Sequence, residues 1–290
     1  MTQRLKEREI DSCPLSSRTR WDCRERREAL FPTRVPDARQ ISRPGASFSA
    51  SSAMGKKWLP LESNPEVMSA FAHTLGLPSD VGFHDIFGFD PDLLAMVPQP
   101  VHAVLLLFPI TPTSEKAKDE EAEALAKPGA VNDVSEGVYY MRQTIGNACG
   151  TIGVLHAVGN NLDKYPQMDP ESYFAKFFAA TSAMSPEERA TYIERDDGIE
   201  AAHGSAVAAG ETACPTIDEQ INLHFVALVH VDGGLYELDG RKRSAIRHGN
   251  TTQETLLRDA VPVIQKFVEM AEGSVSFNAI AMAPGSGAMF

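Results

Sequence analysis

The polar and apolar positions of the chain first become regular near Asn64. From there Val67, Phe71 and Leu75 recur every four residues, which is the spacing of one face of an α-helix. Asn64 suits the N-cap of such a helix, and Pro65 suits its first turn. The pattern therefore predicts an amphipathic helix that begins beside Pro65.

Three further elements follow along the chain. Asp90 and Pro91 predict the start of a short helix that runs through Leu94, and the apolar run 101–109 predicts a buried strand. The acidic, alanine-rich stretch between residues 112 and 137 predicts a solvated helix or a mobile loop.

The second half of the chain combines helix starts with strands. Capping-box patterns at residues 185–188 and 251–254 predict two helices. Between them, residues 223–231 and 235–239 flank an Asp-Gly-Gly turn and predict a β-hairpin, and residues 276–283 predict a last strand. This mixed order, without repeated βαβ units, predicts an α+β fold with helices flanking a central antiparallel sheet.

Residues 1–54 differ from the rest of the chain. They show no helical or strand periodicity and end in a low-complexity run, which predicts a disordered extension. Their seven acidic residues argue against a mitochondrial transit peptide. The domain is predicted to span residues 55–283, followed by a short flexible tail over 284–290.

The net charge of the chain limits the classes of molecule that it can bind. The net charge is −12, and because residues 1–54 carry +4, the remainder carries −16. Such an acidic domain argues against binding of nucleic acid or acidic membranes and is compatible with a basic partner. The longest apolar run is too short to span a bilayer, so no membrane association is predicted.

The chain has four cysteines, and none is paired in a CxxC motif. This spacing predicts neither a metal site nor a disulfide scaffold, and it favours a reducing, cytoplasmic location. The four residues are Cys13, Cys23, Cys149 and Cys214.

Cys149 has the most informative surroundings. Gly146 and Asn147 permit a tight turn before it, and an apolar helical run follows, so Cys149 is predicted at a helix N-terminus. The helix dipole and free N–H groups there lower the pKa of a thiol. The alternative is an inert cysteine buried in the core.

A nucleophilic thiol needs a base, and geometry favours His224. With an Asp-Gly turn at 232–233, hairpin residues pair when their numbers sum to 465, which places Asp239 opposite Val226 and diagonal to His224. A carboxylate there orients the imidazole. His156 lies seven residues along the same helix from Cys149, about 10 Å away, and is predicted to be a packed residue.

The other candidates are weaker. His73 and His84 are assigned to the helical N-terminal region, without an orienting acid in a recognisable register, and His203 and His248 are assigned to loops with no role specified. Gln143 is either a second donor to an oxyanion or an ordinary polar turn residue.

Three segments resemble one family. QTIGNACGTIGVLHA (143–157), LHFVALVHVDGGLYELDGRK (223–242) and KKWLPLESNPEV (56–67) resemble the ubiquitin C-terminal hydrolases, especially their short, single-domain members. The resemblance covers nearly all of residues 55–283. It implies a papain-like fold with a knotted backbone, an exception to the rule that chains are unknotted.

The resemblance also implies roles for individual residues. Cys149 is expected to be the nucleophile, His224 the general base and acid, Asp239 its orienting partner and Gln143 the oxyanion donor. No metal or organic cofactor is expected.

Substrate-binding residues are implied as well. Pro60, Leu61 and Glu62 are expected to hold the tail of the modifier. A segment that begins at Glu194 and ends at Ala213 is expected to be a mobile crossover loop above the site, and an ordinary linker is the alternative.

The predicted function is a monomeric thiol hydrolase that removes small or extended adducts from the C-terminal glycine of ubiquitin, or of its closest ubiquitin-like relative. Two rivals remain at this point. One is a ubiquitin-binding protein with little turnover, and the other is a general papain-like peptidase.

Overall fold

The computed structural model describes residues 55–212, 216, 219 and 221–285. Its helices are α1 (Pro65–Leu75), α2 (Pro91–Leu94), α3 (Pro112–Ala126), α4 (Cys149–Gly159), α5 (Tyr173–Thr181), α6 (Pro186–Glu194), α7 (Asp197–Ala209) and α8 (Leu256–Glu269), with a 3-10 turn at Leu162–Lys164. Its strands are β1 (Val81–Asp85), β2 (Ala103–Pro109), β3 (Leu223–Val231), β4 (Gly234–Leu238), β5 (Ile246–Asn250) and β6 (Asn278–Pro284).

The predictions for the chain ends fall largely outside this description. The disordered extension over residues 1–54 lies outside the described residues, and so does most of the tail over 284–290, since only Pro284 and Gly285 of that tail are described. Among the described helices, none has the length and apolar character needed to cross a membrane.

The six strands form one sheet in the order β1-β6-β2-β3-β4-β5, with every neighbouring pair antiparallel. Helices cover both of its faces. Leu105 and Phe225 point to the side on which α4 packs, whereas Leu106 and Val226 point to the side of α8. The α+β prediction is confirmed.

The β3–β4 hairpin has the predicted register. Asp232 and Gly233 both have positive φ values, 46° and 77°, as the turn that matches the twist of a two-residue hairpin requires. Ala227 pairs with Leu238, and their numbers sum to 465 as predicted. Asp239 therefore follows β4 on the same face as His224.

Helix α4 is a core helix. Every residue from 150 to 158 is buried, and such a largely apolar helix is stable only inside a packed core. A Cβ at Gly150 would lie 3.0 Å from the Cβ of Leu61, which is closer than an ordinary van der Waals contact. The segment 58–62 therefore lies directly against the first turn of α4.

Three histidine-bearing segments differ from prediction. His84 lies in strand β1 rather than in a helical region, His248 lies in β5, and His203 lies in α7 rather than in a loop. The strands β1 and β5 are the two edges of the sheet, and their burial does not alternate, so period-two patterning cannot identify them.

One of the two capping boxes forms. Ser185 and Glu188 exchange the expected side-chain to backbone hydrogen bonds at 3.3 and 2.8 Å. The box predicted at 251–254 is wrong, because α8 starts only at Leu256 and the Thr251 hydroxyl donates to Asp259 at 2.8 Å instead. For the acidic stretch, the helical alternative is confirmed by α3, which buries only Ser114.

Arg189 of α6 joins this helix to the end of α5 and to the chain at Tyr140. Its guanidinium donates to the carbonyl oxygens of Thr181, Ser182 and Tyr140 at 2.9, 2.8 and 2.7 Å, and it lies 4.0 Å from the centre of the Tyr139 ring. Because Arg189 is 8% exposed, water cannot replace these bonds. The chain that leads to Gln143 is thereby fixed to α5 and α6.

Replacing Arg189 with lysine should lower the free energy of unfolding by about 2–4 kcal/mol, because an ammonium cannot reproduce three divergent hydrogen bonds. Chemical denaturation monitored by circular dichroism measures the change. Arg195→Lys is the matched control, since Arg195 is exposed at the end of the same helix. Equal stability of the two variants would contradict this role for Arg189.

Candidate functional site

Cys149 is the first residue of α4, as predicted. The turn before it contains Asn147 with a positive φ of 60°, a conformation that asparagine tolerates better than most residues. Asn147 donates from its side chain to the carbonyl oxygen of Trp58 at 3.0 Å, and the N–H of Trp58 donates to Gly146 at 2.9 Å. The N-terminal segment thus holds the turn that presents the thiol.

The N-terminus of α4 has no side-chain cap. Ala148 occupies the N-cap position and makes no capping hydrogen bond. The first N–H groups of a helix have no partner within the helix. The amides of Cys149 and Gly150 are therefore suited to stabilise negative charge beside the sulfur.

His224 and Asp239 form a buried hydrogen-bonded pair. The Nε2 atom of His224 lies 2.6 Å from Oδ1 of Asp239, and the two side chains are 3% and 4% exposed. The N–H of Arg241 also donates to this oxygen at 2.8 Å, and the hydroxyl of Tyr140 donates to the Asp239 carbonyl at 2.7 Å. Because Nε2 faces Asp239, Nδ1 is the ring nitrogen available to a thiol.

The sulfur and the imidazole meet at the first residues of β3. Strand β4 pairs with β3 only from Ala227 onward, so residues 224–226 have no strand partner on that side. Cys149 approaches this gap from the α4 side of the sheet, and His224 faces the α8 side, where Phe108 packs edge-on against its ring. Both Cys149 and His224 line the same cleft.

The electrostatics of the site favour a thiolate–imidazolium pair. Burial alone raises the pKa of the Cys149 thiol, but the hydrogen bond and charge of His224, followed by the N–H groups of Phe225 and Gly150, bring that pKa below its ordinary value. Burial lowers the pKa of His224, yet the carboxylate of Asp239 outweighs burial and raises it. Burial raises the pKa of Asp239, and the imidazolium outweighs it, so that this pKa is lowered to about 2.

Gln143 lies in the same cleft, beside Cys149. Its backbone N–H donates to Gly240 at 2.8 Å, and its side-chain Nε2 donates to the carbonyl of Ile145 at 3.1 Å. A Cβ on Gly240 would lie 2.8 Å from the Cβ of Gln143, so only glycine permits this approach. One of the two amide hydrogens of Gln143 remains for another acceptor.

The three predicted binding residues also line this cleft. Pro60, Leu61 and Glu62 form one wall, and the cleft has a volume of about 440 Å³. A carboxylate oxygen of Glu62 accepts the backbone N–H of Glu211 at 2.8 Å. The segment after α7 is thereby attached to this wall.

The predicted mobile loop from Glu194 to Ala213 is wrong for most of its length. Residues 197–209 form α7, and Ala213 lies outside the described residues. Alanine is the strongest helix former, and the buried Ile199 anchors the helix, so small residues here favour a helix. Three residues of the segment, Val207, Gly210 and Thr212, nevertheless line the cleft, and Ile221 lines it as well.

His203 was missed as a residue of the site's framework. Its Nε2 donates to the carbonyl of Leu59 at 2.7 Å, and its Nδ1 accepts from the hydroxyl of Thr151 at 2.7 Å. It thus joins α7 to α4 and to the segment before Pro60. Its spacing in the sequence carries no signal of this, because the contact depends on how α7 packs.

The remaining predictions for the histidines are simpler. His156 is fully buried and its Nε2 lies within hydrogen-bonding distance of the backbone of Met141, so it is a packed residue as predicted. Within the described part of the chain, no group of three or more His, Cys, Asp or Glu side chains is placed to hold a metal ion.

Comparison with known proteins gives a consistent result. Residues 58–269 match the family described as ubiquitin carboxyl-terminal hydrolase, family 1. Ubiquitin carboxyl-terminal hydrolase 3 of Arabidopsis thaliana is 46% identical over 235 residues, which are 81% of this chain and 97% of the relative. A ubiquitin carboxyl-terminal hydrolase of Aplysia californica is 44% identical over 216 residues, covering 74% of this chain and 97% of the relative.

A solved structure shows the same fold. The UCH37 catalytic domain of Trichinella spiralis, bound to ubiquitin vinyl methyl ester, aligns with a TM-score of 0.62 at 23% identity, over 79% of this chain and 95% of that one. The family match covers well over half of the chain, and the two relatives named are each aligned over nearly their whole length. The chain therefore belongs to family 1 of the ubiquitin carboxyl-terminal hydrolases, which are cysteine-type peptidases.

Proposed function

We propose that this chain hydrolyses the bond after the C-terminal glycine of ubiquitin, with Cys149 as nucleophile and His224 and Asp239 as its supporting pair. The observation that carries the proposal is the buried 2.6 Å contact between His224 and Asp239, with the other ring nitrogen left for a thiol at the uncapped start of a helix. Each part has a role in acyl transfer to sulfur.

The reaction begins with proton transfer. His224 takes the proton of Cys149, and the thiolate attacks the carbonyl carbon of the terminal glycine. His224 then gives the proton to the leaving amine as the C–N bond breaks, which leaves a thioester on Cys149. A water molecule, deprotonated by His224, attacks the thioester and releases the modifier and the free thiol.

Asp239 acts through the imidazole. Its carboxylate accepts from Nε2 of His224, which fixes the ring orientation and stabilises the imidazolium that appears after proton transfer. The Arg241 N–H and the Tyr140 hydroxyl hold Asp239 in place. The Arg241 N–H opposes rotation of the carboxylate away from the ring, and the Tyr140 hydroxyl holds the backbone that carries it.

The negative charge on the carbonyl oxygen needs donors. We assign this role to the N–H of Cys149, which has no partner within the helix, and to the second amide hydrogen of Gln143. Both groups belong to residues that line the cleft. Because they are fixed by the protein before the reaction, no reorganisation is required when the charge develops.

Ubiquitin as substrate is supported by charge and by the relatives. The domain carries −16, and the predicted substrate ends in a flexible basic tail, Leu-Arg-Gly-Gly, which such a domain attracts. The solved relatives were crystallised with ubiquitin vinyl methyl ester. A close ubiquitin-like modifier remains an alternative substrate, and monomeric state and a cytoplasmic location remain predictions.

A ubiquitin derivative with an electrophile at its C-terminus should form a covalent 1:1 adduct with the wild-type chain, because the thiolate attacks at the position of the scissile carbonyl. Intact mass spectrometry detects the adduct. Cys149→Ala should give none. Labelling of Cys149→Ala at the wild-type rate would contradict the assignment, and adduct formation without cleavage of a fluorogenic ubiquitin amide would favour a binding protein with little turnover.

The pH profile of kcat/KM should depend on the ionisation of Cys149 and His224. The wild type should be active between the lowered pKa of Cys149 and the raised pKa of His224. In Asp239→Asn the imidazolium loses the carboxylate that raises its pKa, so the alkaline limb should move to lower pH and kcat/KM should fall by at least about 100-fold. An alkaline limb at an unchanged pH would show that Asp239 does not control His224.

Removing the Gln143 amide should chiefly affect the chemical step. Gln143→Ala should lower kcat by about 100- to 1,000-fold with little change in KM, because a donor that acts on the oxyanion is needed mainly in the transition state. Steady-state cleavage of a fluorogenic ubiquitin amide measures both constants. Thr144→Ala is the control, since Thr144 is exposed next to Gln143, and equal effects of the two variants would contradict the role.

A further inference from the structure

A second groove adjoins the cleft and is lined by cationic side chains. It lies between α3, Arg142 and the turn after β4, and its volume is about 500 Å³. Five basic residues line it, together with the carboxylates of Asp119 and Glu121. We call it the basic groove, and its cations are Lys118, Arg142, Arg241, Lys242 and Arg243.

This concentration of positive charge contrasts with the rest of the domain. Residues 55–290 contain 16 Lys and Arg against 32 Asp and Glu, and five of those 16 lie in this one groove. Five cations against the two carboxylates of the lining attract small anionic groups, while the acidic domain repels large polyanions. The groove therefore suits a short acidic segment rather than a nucleic acid.

Two of the five cations have no counterion in the described part of the chain. Arg241 pairs with Glu115, and Lys242 pairs with Glu121 at 2.8 Å. By contrast, Arg142 and Arg243 form no ion pair with a described residue, and the Nε of Arg142 is buried without an acceptor. A buried donor without an acceptor is costly, so an anion that binds here gains a partner already in place.

The groove joins the cleft at the end where the chemistry takes place. Arg241 lines both of them, and Arg142 precedes Gln143 in the chain. None of the wall residues Pro60, Leu61 and Glu62 lines the groove. A chain that passes the wall and crosses Cys149 would thus continue towards Arg241.

We propose that the basic groove is the subsite for the leaving group and favours peptide adducts with acidic side chains. This inference rests on the proposed function, because the wall at 60–62 defines the side taken by the modifier. Carboxylates of the leaving peptide pair with Arg142 and Arg243, and Arg241 marks the entrance. The chain's own first 54 residues carry +4, which makes them unsuited to this groove.

The test uses ubiquitin fused through its terminal glycine to five-residue tails of equal length. The first tail residue is the same in every fusion, and the other four are all Glu, all Gln or all Lys. The quantity of interest is the ratio of kcat/KM for the Glu tail to that for the Gln tail. The wild type should give a ratio of roughly three to ten at low ionic strength, with the Lys tail cleaved more slowly than the Gln tail.

Two variants test whether the preference for acidic tails depends on the basic groove. In the double variant Arg142→Gln and Arg243→Gln the ratio should fall to about one. In the control Lys176→Gln, which removes one charge from α5 outside the groove, the ratio should stay as in the wild type. Using a ratio within each variant cancels any general loss of activity caused by the proximity of Arg142 to Gln143. Salt at about 0.5 M should reduce the wild-type ratio, since exposed charges are screened.

The outcomes separate this inference from the proposed function. Cleavage of all three tails at equal rates by the wild type, or an unchanged ratio in the double variant, overturns the inference alone. If the wild type cleaves none of the tails and no fluorogenic ubiquitin amide, the proposed function fails and the subsite fails with it.

Discussion

The contact between His224 and Asp239 is the interaction on which the site depends. Removing two ionisable groups from water is costly, and the cost is offset only when every partner is in place. Here the hairpin fixes the distance, the Arg241 N–H donates to the Asp239 carboxylate, and the Tyr140 hydroxyl donates to the backbone carbonyl of Asp239. The loss of either partner would leave a charge buried without compensation. The Arg241 amide therefore supports the carboxylate of Asp239, and the Tyr140 phenol supports its backbone carbonyl.

This pair and the sulfur come from opposite layers of the fold. Helix α4 supplies Cys149 from one face of the sheet, while His224 lies on the face covered by α8. They meet only because pairing between β3 and β4 ends at Ala227, which leaves the start of β3 open. The geometry of the site therefore depends on where the pairing of β3 with β4 ends and on how α4 packs against the sheet. Both involve segments that are distant in the sequence.

The parts of the site governed by local rules were predictable. The Asp-Gly turn determines the hairpin register, and the register places Asp239 on the face of His224. The Gly-Asn turn before an apolar run likewise indicates that Cys149 begins a helix. In both cases a few neighbouring residues determine the backbone conformation, so the local sequence is sufficient to predict it.

Other parts depend on tertiary contacts and were not predictable. The alanines of α7 favour a helix but its Gly and Ser residues do not, and the burial of Ile199 and His203 against the rest of the fold favours the helix. The edge strands β1 and β5 show no alternation of buried and exposed residues, so their sequence pattern does not identify them. The capping box expected at 251–254 does not form, because the Thr251 hydroxyl donates to the carboxylate of Asp259 within α8. The basic groove is likewise invisible in the sequence, because its cations come from α3, from Arg142 and from the turn after β4.

The burial of α4 on all sides has a consequence for inhibitor design. A compound that reaches only the sulfur contacts the N-terminus of α4. The residues there are close-packed, with Leu61 against Gly150, and they offer little room for selective contacts. At the rim, Thr212 of the cleft and Arg243 of the basic groove are exposed, and there shape and charge have freedom to vary. Discrimination between this enzyme and other thiol hydrolases should therefore be sought in groups that extend from the warhead to that rim.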